Sequence, residues 1–257
     1  MQNYCKTIGA LAAASALVAG NAQAGTTTTT TAAPMSAPAP AIVSELHVGY
    51  SSEYLFRGLN LGDNLIETGL DVAADLGDGF ALSGGVWMGN FANSPKTPNL
   101  DAVDTEVDWY TEFSKDFGFM TASVGYIYYW NVGGLGDDSQ EVSFALSHDF
   151  GFAKASYTYF WGVDGPNNQG YSELALSRGF EISPCLNLNL STNFGYLIEG
   201  GTFTAWTTKA ALDWGFTEHA KISPFLAMSI ALGEEQGSAW SQTDNEYVAG
   251  SMLSVTF

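Results

Sequence analysis

Basic residues are scarce in this chain: 8 Lys and Arg stand against 27 Asp and Glu in 257 residues, a formal charge of −19. Such a balance repels phosphate backbones and argues against nucleic acid as a partner. Thiols are almost absent too. Of the two cysteines, Cys5 falls in an N-terminal stretch that reads as a removable leader, so the mature chain keeps Cys185 alone. One cysteine leaves no internal disulfide and a poor basis for a thiolate metal site. Histidine is limited to His47, His148 and His219. No stretch reaches the roughly 18 uninterrupted apolar residues of a membrane helix, and none shows a convincing helical period. A mature chain anchored by a helix is therefore not expected.

What the chain does have begins at its ends. Lys6 precedes the apolar run Ile8 to Ala19, and Ala22-Gln23-Ala24 supplies the small-x-small site of a secretory signal peptide. Residues 1–24 are read as that leader. Cys5 lies too far ahead of the cut to accept a lipid. Residues 25–43, with Thr26 to Thr31, Pro34, Pro38 and Pro40, bury too little apolar surface to fold and read as a disordered linker. One domain remains, 44–257. At its far end Tyr247, Ala249, Ser251, Leu253, Val255 and Phe257 oppose Val248, Gly250, Met252, Ser254 and Thr256. That ending resembles the closing strand of a bacterial outer-membrane β-barrel, aromatic at its tip. Outer-membrane lipid and the barrel-assembly machinery, engaged through the strand ending at Phe257, are the partners this implies.

Period two runs through the whole domain. Ile66, Thr68, Leu70, Val72, Ala74 and Leu76 oppose Glu67, Gly69, Asp71, Ala73 and Asp75. Val103, Thr105, Val107, Trp109 and Phe113 oppose Asp104, Glu106, Asp108, Tyr110 and Glu112, and Leu186 to Tyr196 repeats the pattern. Connections alternate in length. Tight turns at Gly77-Asp78-Gly79, Asp116-Phe117-Gly118, Asp149-Phe150-Gly151, Glu181 to Pro184 and Thr217 to Lys221 alternate with longer polar stretches. The latter are Gly58 to Asn64, Phe91 to Ala102, Asn131 to Asp138, Gly162 to Gln169, Glu199 to Gly201 and Gly233 to Glu246. Short periplasmic turns and longer outer loops are the ordering of an antiparallel up-and-down transmembrane β-barrel, here with about 12 strands. Trp130, Trp161, Trp206, Trp214, Tyr128, Tyr129 and Tyr159 lie near strand ends, where interface aromatics settle.

Tyr50-Ser51-Ser52-Glu53-Tyr54-Leu55-Phe56-Arg57-Gly58 resembles the first-strand pattern Ser-x-Tyr-x-x-Arg-Gly of the TorF-type porins, also catalogued as the Gcw_chp conserved hypothetical proteins. Gly85-Val86-Trp87, Glu106 to Tyr110 and Val124 to Tyr129 extend the resemblance, which is continuous from Tyr50 to Tyr159 and thins afterwards. Glu67-Thr68 replaces a Gln-rich pair, and the Thr/Pro linker is foreign to the pattern. The resemblance implies an outer-membrane barrel and a channel, with no established substrate.

Loss of Lys6 with the leader leaves 7 bases against 27 acids, a formal charge of −20. Many acids fall on inward faces: Glu45, Glu53, Glu67, Asp71, Asp75, Asp104, Glu106, Asp108, Glu112 and Glu141, joined by Asp149, Glu173 and Asp213. A carboxylate wall in a low-dielectric barrel attracts cations. Arg57, Lys154 and Lys209 also read inward, and Asn187, Asn189, Ser191 and Asn193 offer neutral hydrogen-bonding groups. Two readings follow. One is a porin-like channel for small hydrophilic solutes, preferring cations. The other is a structural or surface-recognition barrel, its lumen plugged by Arg57 paired with Glu53, Glu67 or Asp71, that acts through its outer loops. Catalysis would need a base with an oriented partner and a nucleophile. Only His47, beside Glu45 and Ser51, is a candidate, so no enzyme and no cofactor is expected. Asp137-Asp138 and Glu234-Glu235 could ligate calcium, but solvated acidic loops are commoner.

Overall fold

A chain whose side chains alternate apolar and polar must hide every strand edge as well as one face, and closing the sheet on itself does both. The computed structural model describes residues 42–93, 105–132, 137–164, 170–198, 200–233 and 244–257. Its strands are β1 (Ile42–Phe56), β2 (Leu59–Gly77), β3 (Phe80–Asn93), β4 (Thr105–Asp116), β5 (Thr121–Asn131), β6 (Ser139–Asp149), β7 (Lys154–Asp164), β8 (Tyr171–Ser183), β9 (Leu186–Leu197), β10 (Thr202–Gly215), β11 (Ala220–Ala231) and β12 (Glu246–Thr256). Each pairs antiparallel with its sequence neighbours, and β1 closes on β12 to give a 12-strand barrel. The closing register runs from Glu45 opposite Thr256 to Ser51 opposite Gly250. Ser44 and Phe257 extend it by exchanging backbone hydrogen bonds of 3.0 and 2.9 Å.

The two faces separate by chemistry. Leu46, Val48, Tyr50, Ile66, Leu70, Val72, Phe144, Leu146, Leu174 and Leu176 are exposed on the outside. Ser51, Glu67, Ser223 and Ser254 are buried within. On β12, Tyr247, Leu253 and Val255 point out, as does Phe257 just past its end, while Val248, Met252 and Ser254 point in. An apolar exterior over a polar interior inverts a soluble protein and suits a barrel solvated by lipid.

Along one rim the connections are tight, at 78–79, 117–120, 150–153, 184–185 and 216–219. Asp116 and Asp149 each accept a 2.7 Å hydrogen bond from the backbone N–H of the glycine two residues on, Gly118 and Gly151. Such side-chain acceptors close a turn without help from the rest of the fold.

The opposite rim holds the main departure from the sequence expectation. No loop runs from Gly58 to Asn64: β1 continues to Phe56, β2 starts at Leu59, and only Arg57 and Gly58 lie between them. Both have positive φ, 52° and 91°, the two-residue hairpin turn whose twist matches its flanking strands. Asn60, Asp63 and Asn64 give the stretch a loop-like composition, yet Leu59, Leu61 and Leu65 between them supply apolar anchors for a strand. β3 and β7 likewise continue through Asn93 and Asp164 into stretches expected as loop, and much of the other outer connections lies outside the described residues. The leader and most of the linker lie outside them too. β1 begins at Ile42, two residues before the expected barrel boundary. Cys185 lies in the β8–β9 turn. The other cysteine, Cys5, is outside the described residues.

Candidate functional site

Alternation along β2 and β4 sends Glu67, Glu106, Asp108 and Glu112 into the interior, where all four are buried. A buried carboxylate needs hydrogen-bond donors, and here neutral side chains on nearby strands provide them. Trp87 Nε1 donates to Glu67 Oε2 at 2.8 Å, Tyr54 OH to Glu106 Oε1 at 3.3 Å, and Ser123 Oγ to Glu112 Oε2 at 3.1 Å. Tyr110 OH donates to Asp71 Oδ1, and His47 Nδ1 lies 3.2 Å from Asp71 Oδ2. The indole of Trp87 folds over Gly89, where a Cβ would stand 2.3 Å from the ring, so the glycine makes room for the donor.

The opposite wall repeats the arrangement with amides. Asn189 Nδ2 donates to Asp213 Oδ2 at 2.9 Å and Asn193 Nδ2 to Glu173 Oε2 at 2.7 Å, with Tyr171 OH reaching the same Glu173 oxygen at 3.4 Å. Asn187 sits in register with Asp213, and Ser191 with Lys209. The amides of β9 therefore serve the carboxylates of β8 and β10. Lys209 places its ammonium 4.0 Å from the ring centroid of Phe225, and Lys154 is half-buried at the β7 end, opposite Asp149.

Between these walls lies the tip of the β1–β2 hairpin. Arg57 donates from Nη1 and Nη2 to the two oxygens of Glu141 on β6, at 2.8 and 2.6 Å. Its guanidinium carbon stands 4.8, 4.7 and 4.3 Å from the centroids of Phe56, Phe160 and Tyr171. Tyr129 OH adds a 3.0 Å hydrogen bond to Glu141. β6, β7 and β8 are on the far side of the barrel from β1, so the hairpin crosses the lumen. Gly58 completes the crossing: a Cβ there would lie 2.4 Å from Ala205 Cβ on β10. Leu55 packs with Ala211, Phe225, Ala227 and Val248 of β10 to β12, and Tyr54 with Leu65, Trp87 and Phe91.

The sequence-derived partner of Arg57 is thus corrected. Glu53, Glu67 and Asp71 are near it along the chain, but strand curvature carries the arginine across the barrel to Glu141. Tyr129 is also corrected, from an interface aromatic to a buried donor, whereas Trp130, Trp161, Trp206 and Trp214 are exposed on the outside. Asp75 sits exposed at the tight-turn rim and accepts from the Gly77 N–H at 2.8 Å. Glu45 is 3.9 Å from Lys221 Nζ, Glu53 is half-buried on β1, and Asp104 lies outside the described residues. Asp138 accepts from Tyr128 OH and the Asn131 N–H at 2.6 and 3.0 Å, while Glu234 and Glu235 are outside the described residues. Sequence reasoning missed Tyr54, Trp87, Tyr110 and Tyr171 as carboxylate donors. The available signal was their placement on the same inward register as the acids.

Several buried polar atoms, Glu67 Oε1, Asp108 Oδ1, Asp213 Oδ1, Ser51 Oγ and Ser223 Oγ, have no hydrogen-bond partner among the described residues. Such atoms in an interior are hydrogen-bonding positions for water or a polar solute.

Comparison with known proteins places this geometry. The sequence model of a family described as "Bacterial protein of unknown function (Gcw_chp)" matches residues 35–249. No curated protein matches the sequence. Among solved structures, an outer membrane channel from Pseudomonas putida F1 is similar over 86% of this chain and 97% of its own, with a TM-score of 0.53 and 9% identity. The NanC porin is similar over 82% and 98%, with a TM-score of 0.50 and 12% identity. At these identities the likeness concerns the fold.

Proposed function

The chain belongs to the bacterial Gcw_chp family, whose function is unknown, and we propose from its own geometry that it is an outer-membrane, porin-like channel for small hydrophilic solutes, preferring cations. The carrying observation is that Glu67, Glu106, Glu112 and Asp213 accept hydrogen bonds from neutral donors, Trp87, Tyr54, Ser123 and Asn189. A neutral donor stabilises a carboxylate and leaves its field in the lumen, whereas an ion pair would cancel it. The apolar exterior supports a lipid environment, and the secretory leader, linker and Phe257-terminated strand supply an export and assembly route through the barrel-assembly machinery. The TorF-type porin resemblance agrees with this reading, in which the protein is a conduit and not an enzyme.

A second reading is supported by one specific observation. The hairpin tip, with Leu55 and Tyr54 in apolar clusters, occupies the lumen, as a plugged barrel acting through its outer loops would require. Planar-bilayer recording of the mature protein under a KCl gradient tests the first reading. The expected result is discrete current steps with a cation-selective reversal potential that moves toward zero in a Glu106→Gln, Asp108→Asn, Asp71→Asn variant. Unchanged selectivity in that folded variant would reject the acidic-lumen mechanism.

A further inference from the structure

We propose that the β1–β2 hairpin is a resident plug that bends in from the barrel wall, and that Arg57 is the latch holding it against β6; this rests on the channel reading above.

Three independent features converge on it. The first is length. A tilted membrane strand needs about 9–11 residues, while β1 has 15 and β2 has 19. β1 leaves its pairing with β12 after Ser51, while β12 itself runs on to Glu246, and β1 and β2 remain paired with each other as far as Phe56 and Leu59. The surplus is a two-stranded arm that runs beyond the β1–β12 seam.

The second feature is a hinge. Register shifts occur between Tyr54 and Leu55 where β1 pairs β2, and between Asp63 and Ile66 where β2 pairs β3. Asn64, inside the second, has a φ of 56°. Bulges bend the strand that carries them, and these lie where the arm departs from the wall. Tyr50 OH donates to Asn64 Oδ1 at 2.9 Å, tying the bend to the neighbouring strand.

The third is the seat. At the tip, the Arg57–Glu141 fork is polar and reversible, enclosed by Phe56, Phe160 and Tyr171. On the other side Gly58 lies against Ala205, a contact that admits no side chain. The Arg57–Glu141 ion pair and the close approach of Gly58 to Ala205 hold the arm from two directions, and Leu55 supplies apolar fill between them. An arm tethered at a bulged hinge and held at its tip by a polar fork has two natural positions, seated and withdrawn. Withdrawal exposes the inward carboxylates of β2 and β4 along the full lumen.

The test compares four folded proteins in planar bilayers: wild type, Arg57→Ala, Gly58→Ala, and a short-arm variant in which residues 54–62 are replaced by Asn-Gly between Glu53 and Asp63. Heat-modifiable gel mobility reports that each barrel is folded. The short-arm protein is expected to show single-channel conductance several-fold above the main wild-type level. Arg57→Ala and Gly58→Ala, which disturb the seat from opposite sides, are expected to visit that larger level frequently. If wild type already conducts like the short-arm protein, the plug is overturned and the channel stands. If the folded short-arm barrel conducts nothing, the channel reading itself fails, and the latch with it.

Discussion

Two kinds of hairpin in this barrel each turn through a glycine in the left-handed region and end in opposite places. The β4–β5 and β6–β7 turns expose their apolar residues, with Phe117, Phe119, Phe150 and Phe152 at 54, 67, 55 and 67%. The β1–β2 hairpin buries its own, with Tyr54 and Leu55 each at 1%. Both turn on a glycine of positive φ, Gly118 and Gly151 in the first kind and Gly58 in the second. A left-handed glycine therefore helps two strands join and says nothing of where the joined pair goes. Strand length decides that. β4, β5, β6 and β7 have 12, 11, 11 and 11 residues and end at the rim, while β1 and β2 overrun it and must bury their excess apolar surface. The lumen is the enclosed site within reach.

Substitutions in the two regions should separate in size. The largest effect is expected for Glu141→Ala, which takes the forked carboxylate away from the buried Arg57 guanidinium and should cost about 3–5 kcal/mol in urea unfolding of the lipid-folded barrel. Leu55→Ala comes next: it removes a fully buried side chain from the cluster with Phe225 and Val248, at a cost of about 2–4 kcal/mol. Gly58→Ala should cost about 1–2 kcal/mol from its left-handed backbone alone, with the Ala205 contact added. Asp116→Ala removes one exposed turn hydrogen bond and should cost about 0.5–1 kcal/mol. A Phe117→Ser barrel, measured by the same unfolding, should fall within about 0.5 kcal/mol of wild type, as exposed positions usually do. An Asp116→Ala penalty as large as that of Glu141→Ala would erase the distinction between the hairpins.

Much of the barrel was legible in the sequence for a physical reason. A period of two reports which face each residue takes, and a tight turn reports where a strand ends, so strand number, the rim of short turns and the inward register of Glu67, Glu106, Asp108 and Glu112 could all be read locally. The β1–β2 arm could not. Asn60, Asp63 and Asn64 look like a polar loop until strand pairing is known, and the partner of Arg57 is 84 residues away on β6. Pairing across a lumen leaves no periodic trace. The aromatic donors were half legible: Tyr54 and Tyr110 alternate in step with the acids, but their hydroxyls reach carboxylates on other strands, Glu106 and Asp71.

The account stands on the hairpin lying across the lumen, and a double-mutant cycle between Arg57 and Glu141 tests that most directly. Arg57→Ala, Glu141→Ala and the double variant are unfolded with urea from the same lipid. The predicted coupling is about 1–3 kcal/mol, as for residues in direct contact. Additivity within about 0.5 kcal/mol, the behaviour of distant sites, would place Arg57 away from β6 and contradict the account.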